Sequence, residues 1–297
     1  MNTHSGIPLL MRYPEFLSKY SLLPKKVIGK GTFGSIHLAS SKCDPSKLFA
    51  VKIFNKCRSK AAAEAYFTHL SSEFLIGVSL HHKNIVETYE LVRYGPTWLE
   101  IMEYCKGGDL FESIQKKRLS QKVADFFFTE LLSGIHYLHS LGIAHCDLKP
   151  ENILISSDNH VKIADFGASC HFSILDKDCI QQGVHSIEEE LCRGVCGSLP
   201  YTAPEILTMG PYDPAPVDIW SLGIIYFVMI FHKIPWHEAS AQKDEKYLTQ
   251  REKFDPISRL PTPMAKILCK MLEPHPASRI TINELIGNTY IQNLNFD

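Results

Sequence analysis

The chain has 297 residues, 45% apolar and 21% charged, enough for one large domain or two lobes with a substantial core. Its formal net charge of −1 leaves no basic excess to hold nucleic acid or an anionic membrane. Nine cysteines, an odd number without a C-x-x-C pair, read as reduced thiols of an intracellular protein rather than a disulfide framework.

Met1-Asn2-Thr3-His4-Ser5 has neither the basic nor the apolar region of a signal peptide, and Asn2 excludes the myristoylation pattern. Lys26–Ile28, Ser35–Ala39 and Leu48–Phe54 cluster β-branched residues between Gly, Pro and Asp and read as strands. Ala61–Leu80 reads as a helix. Further helices are expected at Gln121–Leu141, Val217–Phe231, Met264–Leu272 and Ile282–Ile286. The longest apolar run, Leu222–Phe231, falls far short of the ~20 residues of a membrane helix and reads as a buried core helix. A cytoplasmic protein without direct membrane insertion is expected. Gly107-Gly108 reads as a flexible junction between a strand-rich and a helix-rich part. Between Gly167 and Ala203 the periodicity is weak and an acidic run, Glu188-Glu189-Glu190, interrupts it; so long a loop is usually functional or mobile. Cys192 and Cys196 are the closest cysteine pair, with no second pair to complete a zinc site, and read as incidental thiols.

Gly29-x-Gly31-x-x-Gly34 lies between two strand candidates, where glycines let backbone N–H groups approach phosphate oxygens. A dinucleotide fold would need a helix next; Ser35–Ala39 reads instead as a strand, which favours a hairpin over nucleotide phosphates. Lys52, in Ala50-Val51-Lys52, could hold the α- and β-phosphates, oriented by an acid on the following helix. Glu73 is the candidate and Glu64 the fallback; the bland reading is a solvated helix acid.

His145-Cys146-Asp147-Leu148-Lys149-Pro150-Glu151-Asn152 is followed by Asp165-Phe166-Gly167. This pair of motifs resembles the eukaryotic protein kinases, whose signature is H-R-D-x-x-x-x-N and then D-F-G. The resemblance extends from about Lys25 to Ile291. It implies an α+β bilobal fold: a small antiparallel β-sheet N-lobe with one helix (about 25–104) and a larger, mostly helical C-lobe (about 105–297), after a short extension, 1–24. It further implies ATP and Mg²⁺, with Asp147 accepting the substrate hydroxyl proton, Asn152 and Asp165 holding the metal, and Lys149 neutralising the γ-phosphate. Met102 takes the gatekeeper position, and backbone groups of Glu103 and Cys105 would bind adenine. Asp109 suits a ribose hydroxyl or, equally, the N-cap of the next helix. Ile28, Ile36, Ala50 and Leu154 complete the expected nucleotide-binding set.

By the same resemblance Glu205 of Ala203-Pro204-Glu205 pairs with Arg279, and Asp218 bonds the backbone of the catalytic loop. Lys149, together with Ser198 placed to bond Asp147 and Lys149, implies serine/threonine rather than tyrosine acceptors on protein substrates. Val228 stands where strongly basophilic relatives carry glutamate, which weakens any arginine preference. Thr68–His82, Glu103-Tyr104-Cys105 and Gly197–Tyr201 are similar to the fungal halotolerance and nitrogen-permease-reactivator kinases, which control nutrient and cation transporters. A pseudokinase scaffold is the alternative, but it would usually have lost Lys52, Asp147, Asn152 or Asp165.

Two departures stand out. Cys146 replaces the arginine that gathers an activation-loop phosphate, and cysteine makes no bidentate pair, so dependence on one loop phosphate is not expected. Gly77, one turn after Glu73, leaves a gap where relatives place an apolar side chain, unless a neighbour such as Ile76 fills it.

Overall fold

The computed structural model describes residues 10–31, 34–56, 63–116, 119–172, 192, 197–208, 210–247 and 259–294. Glu188-Glu189-Glu190 and Cys196 lie outside them. The chain divides into two compact units, meeting in sequence at Lys106 and Gly107.

The N-terminal unit is built on a six-stranded sheet of order β1-β5-β6-β4-β3-β2. Its strands are β1 (Leu10–Arg12), β2 (Tyr20–Gly31), β3 (Gly34–Ser41), β4 (Leu48–Phe54), β5 (Thr88–Tyr94) and β6 (Thr97–Glu103). Two helices accompany them, α1 (Tyr13–Lys19) and α2 (Ala63–Ser79). All neighbours pair antiparallel except β1, which runs parallel to β5. Residues 10–24 therefore do not form a bare extension before the sheet. Phe16 and Tyr20 are buried in a cluster with Phe49, Val51, Val92, Leu99 and Ile101, and that apolar surface draws the segment in.

Strand periodicity sorts β4 between two environments. Phe49 and Val51 join the Phe16 cluster, whereas Phe54 packs with Leu70 and Phe74 of α2. Ala50 and Lys52 share the parity of Phe54 and so face the helix. A two-residue period thereby carries the single lysine of the strand to α2.

Gly77 leaves no gap. A Cβ there would stand 2.8 Å from Oγ1 of the buried Thr88 on β5, so helix and strand approach too closely for any side chain. The sequence gives only the helix face, and the strand that fills it lies eleven residues further on.

The C-terminal unit is mostly helical, with α3 (Leu110–Lys116), α4 (Gln121–Ser140), α5 (Ala215–Phe231), α6 (Thr262–Met271), α7 (Ile282–Ile286) and α8 (Thr289–Gln292). Short strands β7 (Ile143–Ala144) and β10 (Cys170–His171) pair with each other, as do β8 (Ile153–Ile155) and β9 (Val161–Ile163). Every residue of α5 from Val217 to Met229 is buried, the core-helix reading made from its apolar run. Among the described residues no helix is long and apolar enough to cross a membrane. Ser120 caps α4 through Val123 N–H, and Thr281 with Glu284 closes a capping box on α7; a cap of this kind is worth ~1 kcal/mol.

Gly107-Gly108 is pinned rather than free. Gly107 N–H donates to Ile155 O and Ile155 N–H donates to Gly108 O, each at 2.8 Å. A Cβ on Gly107 would meet Ile155 O at 2.7 Å, and Gly108 adopts φ +78°. The glycines serve a close backbone approach to β8.

Gly77→Ala is expected to destabilise the chain by about 1–3 kcal/mol in urea unfolding, the usual result of overpacking. In a Thr88→Ala background the same change should instead stabilise by up to ~1 kcal/mol, the helix propensity of alanine over glycine. Equal stability of Gly77→Ala and the parent would refute the contact.

Candidate active site

In the N-terminal unit, the Lys52 ammonium donates to Glu73 Oε1, both side chains being buried. Of the two candidate acids the structure selects Glu73; the side chain of Glu64 lies outside the described ones. A pair this buried costs several kcal/mol of desolvation per ion, so its contribution to stability is small and its value is in fixing where the ammonium sits. Lys52 lies opposite Ile36 on β3 and Glu100 on β6, and Ala50 opposite Met102. Glu103 N–H is engaged by Glu87 O at 2.9 Å. Cys105 is buried.

The three glycines of the β2–β3 hairpin are unequal. A Cβ on Gly34 would stand 2.2 Å from Ile53 O, so that glycine is demanded by β4 itself. Gly29 would make only ordinary contact with Ile36, and Gly31 meets nothing within 4 Å. Among the described residues nothing in the packing requires Gly31, and a Cβ there would meet open space, as fits a cradle for a phosphate. Ile28, on the same strand, is 44% exposed.

The C-terminal unit carries the second set. Asp218 on α5 is fully buried, and its carboxylate accepts from His145 N–H (Oδ2, 2.9 Å), Cys146 N–H (Oδ1, 2.9 Å) and His139 Nε2 (Oδ2, 2.9 Å). These bonds hold Cys146 at φ +63°, a left-handed conformation that costs a cysteine on the order of 1 kcal/mol. Backbone bonds to a carboxylate return ~1.5–3 kcal/mol each, so the strained turn is stable. It sets the direction of Asp147.

Asp147 is held by one oxygen only. Its Oδ2 accepts from Lys149 Nζ at 2.6 Å and from Asn152 Nδ2 at 3.2 Å. Its Oδ1 is buried and has no hydrogen-bond partner among the described residues. Gly197, at φ +89°, lies so close that a Cβ would stand 3.4 Å from this oxygen and 3.3 Å from Cys146 O. Asn152 Nδ2 also donates to Asp147 O at 2.9 Å, leaving the amide oxygen as the remaining acceptor of that side chain. Ala164 N–H donates to Asn152 O at 2.9 Å, which puts the neighbouring Asp165, itself at φ +69°, beside Asn152. An amide oxygen and a carboxylate are hard donors of the kind magnesium takes.

Asp109 Oδ1 accepts from Glu112 N–H at 2.7 Å and so caps α3, while its backbone bridges to Leu154. Ser198 departs from expectation. Among the described residues no hydrogen bond joins its hydroxyl to Asp147 or Lys149, although those two bond each other. Its carbonyl instead accepts from Thr202 Oγ1 at 3.1 Å. Glu205 meets Arg279 in a bidentate pair of 2.6 and 2.9 Å, and Arg279 also donates to the carbonyls of Pro216, Glu273 and Pro274. Val228 is buried.

Sequence reading missed one arrangement. Cys146, Cys170 and Cys192, separated by two dozen residues or nearly so, bring their sulfurs within 4.8 Å of one another. Cys192, expected to be incidental, is pulled down to about 4 by hydrogen bonds from the Cys146 and Cys170 thiols. The Cys146 thiol is pushed up by its hydrogen bonds to Cys170 and Cys192 and by burial. The unusual residue of the His145-Cys146-Asp147 motif was a signal in the sequence; its partners were not.

The sequence pattern of the Protein kinase domain family matches residues 23–291. Serine/threonine-protein kinase HAL4/SAT4 of Saccharomyces cerevisiae is 38% identical over 97% of this chain and 49% of its own length. Serine/threonine-protein kinase hal4 of Schizosaccharomyces pombe is 35% identical over 94% of this chain and 44% of its own. The nitrogen permease reactivator protein of S. cerevisiae is 38% identical over 78% of this chain and 27% of its own. The chain spans about half the length, or less, of these curated relatives. A match over nearly the whole chain, joined to the motifs just described, makes this chain a member of the protein kinase domain family.

Proposed function

We propose that the chain is an ATP-dependent protein serine/threonine kinase, with Asp147 as the base that receives the acceptor hydroxyl's proton. The observation carrying this reading is the division of labour at that carboxylate. Oδ2 is tied to Lys149 and Asn152, while Oδ1 is buried and, among the described residues, unpartnered, as suits an acceptor awaiting a donor.

In the reaction, the substrate hydroxyl donates to Asp147 Oδ1 and its oxygen attacks the γ-phosphorus of ATP. The bond from that phosphorus to the bridging oxygen breaks, ADP leaves with the electron pair, and the proton passes to Asp147. The Lys149 ammonium faces the same carboxylate and offsets negative charge on the phosphoryl group in flight. Lys52, fixed by Glu73, holds the α- and β-phosphates, and the backbone around Gly29 and Gly31 covers them. Asn152 and Asp165 would hold Mg²⁺, which when bound supplies charge neutralisation at the phosphate oxygens. Ile28, Ile36, Ala50, Met102, Glu103, Cys105 and Leu154 are proposed to receive the base, and Asp109 the ribose.

Ser/Thr acceptors are supported by Lys149 and by likeness to the serine/threonine-protein kinases HAL4/SAT4 and hal4. Regulation of nutrient or cation transporters is the finer reading, supported by likeness to a protein named a nitrogen permease reactivator.

Radiolabel transfer from ATP to a generic protein should fall by about 10²–10⁴-fold in Asp147→Asn without loss of folding, the usual worth of a positioned base. Equal labelling by wild type and Asp165→Ala would end the kinase assignment and favour a scaffold. A peptide array should label serine and threonine acceptors and leave tyrosine blank. The Ser169→Ala/Ser173→Ala/Ser186→Ala protein should keep its activity, since Cys146 cannot grip a loop phosphate; an inactive triple variant would show that a loop phosphate is needed.

A further inference from the structure

We propose that Cys146, Cys170 and Cys192 form a binding site for a single thiophilic divalent cation of the zinc class. The three thiols come from separate segments of the C-terminal unit, each fixed by its backbone. Cys146 follows β7 and is held by Asp218 Oδ1 through its N–H. Cys170 lies on β10 in register with Ala144. Cys192 exchanges both backbone bonds with Tyr212, each at 3.1 Å. Independent anchoring of three ligands is the preorganisation a metal site requires.

The spacing fits the ion. Cys146 Sγ and Cys170 Sγ are 3.5 Å apart, and all three sulfurs lie within 4.8 Å of one another. Tetrahedral coordination at a Zn–S distance of about 2.3 Å sets sulfur–sulfur separations of roughly 3.8 Å, so the triangle needs only small adjustment. Among the described residues the group has three members, one short of a tetrahedral set. Binding converts thiols to thiolates with release of their protons, and the buried carboxylate of Asp218 behind Cys146 adds to the attraction for a cation.

Two plainer readings account for less. Cysteines used only as small apolar fillers are typically buried, but of these three only Cys146 is, and Cys170 and Cys192 are half-buried. A disulfide uses two sulfurs at about 2.05 Å and leaves a third thiol in reach to attack it, so the bond would be under constant exchange. Three converging sulfurs suit a shared cation better than a pair bond. Its occupancy would tie Cys146, the neighbour of Asp147, to the strand after Asp165-Phe166-Gly167 and to residue 192.

The test uses the full chain, reduced with a phosphine and stripped of metal, titrated with cobalt(II). The expected result is the intense near-ultraviolet absorption of thiolate-bound cobalt, with visible bands of a tetrahedral ion, abolished when zinc displaces it. Cys170→Ser and Cys192→Ser should each weaken zinc binding by at least about tenfold in competition with a chromophoric chelator. Cys43→Ser and Cys269→Ser, at exposed positions, should leave it unchanged. Because Cys146→Ser alters a buried residue and could impair folding, the half-buried pair carries the test. Zinc should also slow amide exchange at Cys192 and Tyr212. Absence of the thiolate band, undiminished band intensity and affinity in Cys192→Ser, or a reduced protein that takes no metal and on oxidation merely loses two thiols would each overturn the site. The readout is optical, so its failure leaves the kinase reading untouched, and an inactive kinase would leave the site standing.

Discussion

A single buried carboxylate organises the loop that carries Asp147 in the C-terminal unit. Asp218 has no exposed surface and, on its own, would be costly to bury. It is tolerated because the backbone N–H groups of His145 and Cys146 and one imidazole converge on it. Those bonds force the left-handed turn at Cys146 and so decide which way Asp147 points. Lys149 and Asn152 then occupy one of its oxygens and leave the other for chemistry. Remove the anchor on α5, and each later step in this chain of placement loses its reference.

The N-terminal unit solves a comparable problem with a helix and a strand. The alternation of β4 delivers Lys52 to the face that α2 covers, and Glu73 meets it there. Helix and strand can come close enough only because Gly77 makes room for Thr88. A glycine that looks like a defect in the helix is thus part of what sets its distance from the sheet. Gly34 acts in the same way against β4, and Gly31 does not. Residues of one motif therefore answer to different constraints: packing against β4 demands Gly34, and among the described residues nothing crowds Gly31.

Much of this was legible in the sequence because the informative features are local. Strands β3 and β4, the helix carrying Glu73 and the apolar α5 each announce themselves within a window of a few turns. The motifs around Asp147 and Asp165 are recognisable by their spacing, and the roles proposed for them follow from the resemblance to protein kinases. What stayed hidden depends on contacts between distant segments. The capture of residues 10–24 by the sheet follows from Phe16 and Tyr20 finding a cluster made by β4, β5 and β6. Pinning of Gly107 and Gly108 needs β8, nearly fifty residues later. The missing Ser198 bond and the gathering of three cysteines are likewise facts of tertiary placement, which no pattern of residue types encodes.

The parallel pairing of β1 with β5 bears on how this protein can be cut. With β1 in place, β5 is an interior strand of the sheet; without it, β5 presents an open row of backbone donors and acceptors. A chain started at residue 25, where the family motifs begin, would also strip Phe16 and Tyr20 from the cluster beneath that strand. Shortened to its catalytic signatures, the protein would keep every motif and gain a sticky edge, prone to pair with the same edge of another copy.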